Sequence, residues 1–156
     1  MEDLKLRSLD FFKTLFIMLA CWGFLSVIYF FILPKLVASL LLINQSESAF
    51  IKNEQGLVYE KNGDSDKAIV EYKKAIELDP LYDKTYNNIG ISYASKKQYD
   101  LAEQSFKKAI ELNPEYVKAY NNLGFLFIKQ DKYLEAVFYL EKASTLDGTL
   151  THLLER

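Results

Sequence analysis

Apolar and polar positions alternate along this chain in a helical rhythm that repeats itself. Within 83–95, Tyr86, Ile89, Gly90 and Tyr93 follow one another at intervals of 3, 1 and 3, the stripe of one α-helical face. Within 101–112, Leu101, Ala102, Phe106, Ala109, Ile110 and Leu112 outline a second stripe. Lys96-Lys97-Gln98 between them is a polar turn, and Pro114 cannot continue the second helix while it pushes Asn113 toward extended backbone. The segment reads as two antiparallel helices with a firm stop. Shifted back by 34 residues, Gly90, Tyr93, Ala102, Phe106, Ala109 and Pro114 fall on Gly56, Tyr59, Ala68, Tyr72, Ala75 and Pro80. Shifted forward by the same step, the pattern becomes Tyr120, Leu123, Gly124, Phe127, Ala136, Leu140 and Ala143, with Gly148 in place of the proline. A fixed period of this length predicts stacked helical hairpins, here at 49–82, 83–116 and 117–148.

A glycine inside a helix costs about 1 kcal/mol relative to alanine, yet Gly56, Gly90 and Gly124 recur at one register position. Pairing with Ala68, Ala102 and Ala136 for close helix approach explains them, with Ala75, Ala109 and Ala143 giving the same clearance against the next repeat. The stripe is therefore core. After Gly148, Leu150, Leu153 and Leu154 share a helical face, so 149–156 reads as a short capping helix.

Ahead of the repeats the pattern changes. Residues 1–10 form a mixed-charge flank, and Thr14–Leu33 is a run of twenty residues without a charge. As a helix it matches the thickness of a bilayer core, and Phe11–Leu33 is expected to be a transmembrane helix. A cleaved signal peptide is the rival, but its apolar region is shorter. Pro34 should kink or end the helix, leaving 34–48 as an apolar segment, Leu36–Ile43, and a polar join, Asn44 to Ser48. Lys5, Arg7 and Lys13 precede the run while Lys35 and Lys52 follow it. That bias predicts a single-pass protein with its amino terminus in the cytoplasm and its repeats on the periplasmic or lumenal side.

Charge and chemistry narrow the function. From Asn44 onward there are fifteen Lys and Arg against eighteen Asp and Glu, a net of −3, the wrong sign for a nucleic-acid binder. Cys21 is the single cysteine and His152 the single histidine, so no disulfide, zinc cluster or Cys-x-x-Cys pair can form within the chain. No nucleophile elbow, metalloprotease helix or phosphate-binding glycine loop is present. No catalysis, cofactor, metal or small-molecule substrate is expected, and carboxylates read as solvated faces with helical pairs such as Glu103 with Lys107.

On these positions the chain resembles the tetratricopeptide repeat family over 49–148, with every signature position of 83–116 filled. The first repeat departs from it, with Lys52 and Gln55 where a large aromatic residue and a leucine are expected. The resemblance implies an all-α fold, a short right-handed superhelical stack whose first helices line a concave face that holds a peptide or helix of a partner protein. In this chain that face carries Phe50, Asn53, Glu54 and Leu57, then Lys84, Asn87, Asn88 and Ile91, then Lys118, Asn121, Asn122 and Phe125. Adjacent asparagines suit hydrogen bonds to an extended backbone. One subgroup grips a terminal carboxylate with lysine and asparagine, and Lys84, Asn88, Asn122, His152 and Arg156 are similar to that clamp, although histidine stands where lysine is expected. The implied role is a membrane-anchored interaction module, scaffold or assembly factor; the alternative is a permanent accessory subunit of a membrane complex.

Overall fold

The computed structural model describes residues 31–148, and every regular element among them is a helix. They are α1 (Leu33–Lys61), α2 (Ser65–Leu78), α3 (Asp83–Ser95), α4 (Tyr99–Leu112), α5 (Val117–Lys129) and α6 (Tyr133–Leu146). The chain divides into two compact units, Met1–Asn44 and Gln45–Arg156. The second holds the hairpins, and its first helices are the carboxyl-terminal half of α1, then α3 and α5.

The turns repeat as faithfully as the core. Inside each hairpin the amide three residues past the helix end bonds back to a carbonyl five residues earlier: Asp64 to Tyr59 at 2.9 Å, Gln98 to Tyr93 at 2.9 Å and Lys132 to Phe127 at 3.0 Å. This closure puts one residue in the left-handed region. Gly63, Lys97 and Asp131 occupy it in turn, at φ 79°, 60° and 59°. Between hairpins, Asp79 and Asn113 are extended ahead of Pro80 and Pro114, at φ −137° and −138°, as a residue before proline must be. Their side chains accept from the amides of Leu81 at 3.0 Å and Glu115 at 3.1 Å, closing the turn. In the third repeat Gly148, at φ 73°, ends the helix instead.

Ala68, Ile69, Tyr72 and Ile89 form one core cluster, and Ala102, Phe106, Leu123, Leu126, Phe127 and Ala136 another. The side chains nearest the helix glycines are larger than the expected alanines, with the backbone oxygen of Ala136 also 3.4 Å from a methyl group built at Gly124. A methyl group at Gly56 would meet the Tyr72 ring at 2.4 Å, one at Gly90 the Phe106 ring at 2.7 Å, and one at Gly124 would meet Leu140 at 2.6 Å. The glycines make room for a large side chain four residues past the alanine, which lies across the bare helix backbone. In the first repeat, Lys52 is accommodated by polar partners: its Nζ donates to Gln55 at 2.9 Å and stands 3.3 Å from Glu71 on α2.

Two expectations need correction. No helix among the described residues is long and apolar enough to cross a membrane, which overturns the single-pass reading and the topology built on it. The physical reason lies in α1. Its continuous apolar run ends at Ile43, and Asn44-Gln45-Ser46-Glu47-Ser48 follow in the same helix, so it never presents the ~20 successive apolar residues a span requires. Residues 11–30 of the expected transmembrane helix lie outside the described residues, as does the segment 149–156 expected to cap the stack. The second correction concerns the polar join 44–48, which is helical throughout rather than a break. Before it, residues 31–32 take π-helical geometry and regular α-helix starts at Leu33, next to Pro34.

The outer helix α6 shows an apolar face. Val137 is 61% exposed, whereas Ile69 at the same register in the first repeat is 8% exposed beneath α3. Among the described residues no further first helix follows α6.

Candidate functional site

Helical geometry aligns four residues of each first helix along one stripe, at intervals of 4, 3 and 4. These are Phe50, Glu54, Leu57 and Lys61 on α1; Lys84, Asn88, Ile91 and Ser95 on α3; Lys118, Asn122, Phe125 and Lys129 on α5. Read across the helices they make rows: mostly cationic, then mostly amide, then apolar, then a polar end row. Core packing leaves this face uncovered, and Phe50, Ile91 and Phe125 are exposed.

Two adjoining cavities open between α3 and α5. The larger, about 420 Å³, is lined by Asn88, Ile91, Tyr116, Lys118, Asn121 and Asn122, with Asn87 behind them. The smaller, about 160 Å³, shares Ile91 and Asn122 and adds Ser95, Phe125, Leu126 and Lys129. Burial, and then the Asp83 carboxylate, pushes the Tyr116 hydroxyl up from its ordinary value.

The asparagines are organised by a hydrogen-bonded ladder across three repeats. Asn122 Nδ2 donates to Asn87 Oδ1 at 2.8 Å, Asn87 Nδ2 to Asn88 Oδ1 at 3.5 Å, Asn88 Nδ2 to Asn53 Oδ1 at 2.9 Å and Asn53 Nδ2 to Glu54 Oε1 at 3.3 Å. Asn53 and Asn87, 2% and 3% exposed, are thus spent on neighbouring repeats. Asn88 and Asn122 are half-exposed and each keeps one N–H for a ligand. A second tie sits lower in the stack, where Ser92 and Ser95 donate to Glu60 at 2.5 and 3.4 Å.

The structure therefore brings Asn88, Ile91, Lys118, Asn121, Asn122 and Phe125 to one groove, with Asn87 in its wall. Lys84 is exposed one turn before Asn88 and does not line either cavity. Phe50, Asn53 and Leu57 belong to the first-repeat part of the face. His152 and Arg156, the other proposed clamp residues, lie outside the described residues. Sequence reasoning missed Tyr116, Ser95 and Lys129. The last two were within reach, since each continues its stripe by four residues beyond Ile91 or Phe125. Among the described residues no group of His, Cys, Asp or Glu is placed to hold a metal ion.

Comparison with known proteins decides the family. Tetratricopeptide repeat models match residues 83–116 and 105–138, and a TPR repeat model matches 56–97. The first TPR of Spaghetti (RPAP3), bound to the HSP90 peptide SRMEEVD, is 32% identical over 65% of this chain and 80% of its own, with a TM-score of 0.63. The chain belongs to the tetratricopeptide repeat family. Other similar TPR structures include the N-terminal domain of stress-induced protein-1 from C. elegans, at 30% identity, 65% and 86% coverage and TM-score 0.61. The TPR2B domain of yeast Sti1 in complex with pHsp70 aligns at 26% identity, 69% and 86% coverage and TM-score 0.65. No curated protein sequence matches the chain.

Proposed function

We propose that this TPR chain is a protein–protein interaction module that holds a segment of a partner protein in the groove between α3 and α5, acting as a scaffold or assembly factor. The carrying observation is the groove itself: ligand-facing amides of Asn88 and Asn122 beside exposed Ile91 and Phe125, where a chain can find hydrogen bonds and an apolar seat together. Related TPR structures hold an HSP90 peptide and pHsp70, which supports a peptide-like occupant. No covalent step is involved; the module works by raising the partner's local concentration.

Within this reading, Lys84 with Asn88 and Asn122 could meet a terminal carboxylate, with Lys118 the cation nearer the cavity. Phe50, Asn53 and Leu57 extend the surface toward the first repeat, and Asn121 widens it beside Lys118. The test compares tagged full-length chain with Ile91→Asp and Phe125→Asp variants, and with Leu134→Asp on the outer helix as a control. Partner proteins recovered with the parent should be lost from both groove variants and kept by the control. Retention in the groove variants, or equal loss in all three, would overturn the proposal.

A further inference from the structure

We infer that copies of this chain stack head to tail, the face of α1 that carries Ile51 and Val58 in one copy seating on α5 and α6 of another as the next first helix in the series. The ends of the stack make this contact, and it does not depend on what the groove holds.

The first observation is that both ends carry apolar side chains at register positions the interior of the stack buries. Ile51, Gln55 and Val58 of α1 share register with Thr85, Ile89 and Ser92 of α3, and with Ala119, Leu123 and Leu126 of α5, at steps of 34 residues. The residues of α3 and α5 are all buried, whereas Ile51 and Val58 are 48% and 56% exposed. Thr85 and Ser92 are fully covered although polar. The exposed helix is therefore more apolar at these two positions than the buried one, the reverse of the polar outer face that closes a repeat array. At the other end, Val137 is open where Ile69 is covered, and Leu140 is half-buried where Tyr72 and Phe106 are buried.

The second observation is that the ties between successive first helices are left half-made at the two ends. Asn53 is tied to Asn88, and Asn87 to Asn122. One repeat further on, the earlier position is Asn121, half-exposed, whose side chain has no hydrogen-bond partner among the described residues. The later position, carried back to the first repeat, is the exposed carboxylate Glu54, an acceptor for the Asn121 amide. A second pair behaves in the same way. Glu60 accepts from Ser92, and at the same two positions of the next pair of helices stand Ala94 and Leu126, which line one cavity together. Across a junction between copies those positions are Ile128 and Val58, both apolar and both exposed. Polar meets polar and apolar meets apolar each time. A second copy supplies both missing halves in the register the stack already uses, and that commits the occupant.

Such a junction repeats in one direction along the array, so it is heterologous and open-ended. Its polar departure is Gln55, at the register of buried Ile89 and Leu123, which makes association weaker than the joints inside the chain. The experiment is sedimentation velocity of the full chain over a range of concentrations, where the parent should form species that lengthen as concentration rises. Val58→Asp blocks one end and Val137→Asp the other. Each variant alone should be monomeric, and an equimolar mixture should give a 1:1 dimer and nothing longer, because one intact end of each kind remains. That rescue also shows that both variants are folded. Gln55→Leu should tighten association about tenfold, Asn121→Ala should weaken it about fivefold, and Ile91→Asp in the groove should leave it unchanged. A parent or a mixture that stays monomeric up to ~1 mM overturns the inference. Association kept by both end variants does the same, since it would lie elsewhere in the chain. Loss in Val137→Asp but not in Val58→Asp would mark a symmetric contact between two copies of α6, and loss in Ile91→Asp would mark docking in the groove; either result also overturns it.

Discussion

Replacing Gly90 by alanine tests the central packing relation of the fold. A methyl group there would lie 2.7, 2.8 and 3.1 Å from three carbons of the Phe106 ring, against an ordinary carbon contact of about 3.5–4.0 Å. Phe106 is 1% exposed and packs in one cluster with Leu123, Leu126 and Phe127 of the next repeat, so its ring has little room to retreat. Overpacking of a filled core costs about 1–3 kcal/mol, and this site belongs in the upper half of that range. Alanine returns about 1 kcal/mol of helix propensity. The net is a loss of about 1–2 kcal/mol, or roughly 5–10 °C in melting temperature for a repeat unit of this size. Urea denaturation followed by circular dichroism measures it. At Gly124 the same change meets Leu140, an aliphatic side chain on the less covered helix α6, and should cost less. Phe106→Leu in the Gly90→Ala background should recover part of the loss, a coupling of about 0.5–2 kcal/mol. If Gly90→Ala is as stable as the parent or more so, the glycine does not serve this ring and the reasoning fails.

Two further predictions come from the turns and the ion pairs. Lys97→Gly should stabilise the protein by about 0.5–1 kcal/mol, because a lysine held at φ 60° carries a left-handed penalty that exceeds the added freedom of a glycine in the unfolded chain; equal or lower stability in urea would refute it. Glu71 accepts from Lys74 at 2.6 Å and stands 3.3 Å from Lys52 without hydrogen-bond alignment; Lys74 first, then Lys52, hold its carboxyl below the usual 4.5. A lowered folded value means the contribution is complete above about pH 4.5 and disappears as the pH falls through the folded value, so Glu71→Gln should cost about 0.5–1.5 kcal/mol at pH 7 and nothing near pH 2. A gap between the two proteins that persists undiminished at pH 2 would show that the pair is not its source.

Much of the fold was legible because it is written locally. The intervals of Tyr86, Ile89, Gly90 and Tyr93 follow from one helical face, and Pro80 and Pro114 act on the residue before them, so no tertiary contact is needed to read hairpins or their stops. Gly63, Lys97 and Asp131 show where this ends. They share one register, but Lys97 and Asp131 adopt the left-handed turn because the carbonyls of Tyr93 and Phe127 must be closed, a demand their own side chains do not announce. The glycine partners were legible only in part, for a related reason. Alanine is the small residue nearest in pattern, but the ring four residues further on, one turn along the second helix, covers the gap. The membrane expectation rested on the uncharged run 14–33, most of which lies outside the described residues, whereas the described helix α1 crosses Asn44 to Ser48 and spends its carboxyl-terminal half on the repeats.

The groove divides along the same line. Asn53, Asn87, Asn88, Asn121 and Asn122 look interchangeable in sequence, each an amide on the face of a first helix. Hydrogen bonds between residues 35 apart in sequence separate them, tying Asn88 to Asn53 and Asn122 to Asn87 and burying one member of each tie. An amide bound on one side presents its remaining N–H in a fixed direction, so the ladder that joins the repeats also preorganises the surface they offer. Stacking and recognition are therefore coupled at these residues. Lys118, Phe125 and Lys129 stay outside the ladder and outside the core, so they can change without disturbing the stack, and ligand preference can be altered there while the fold is kept.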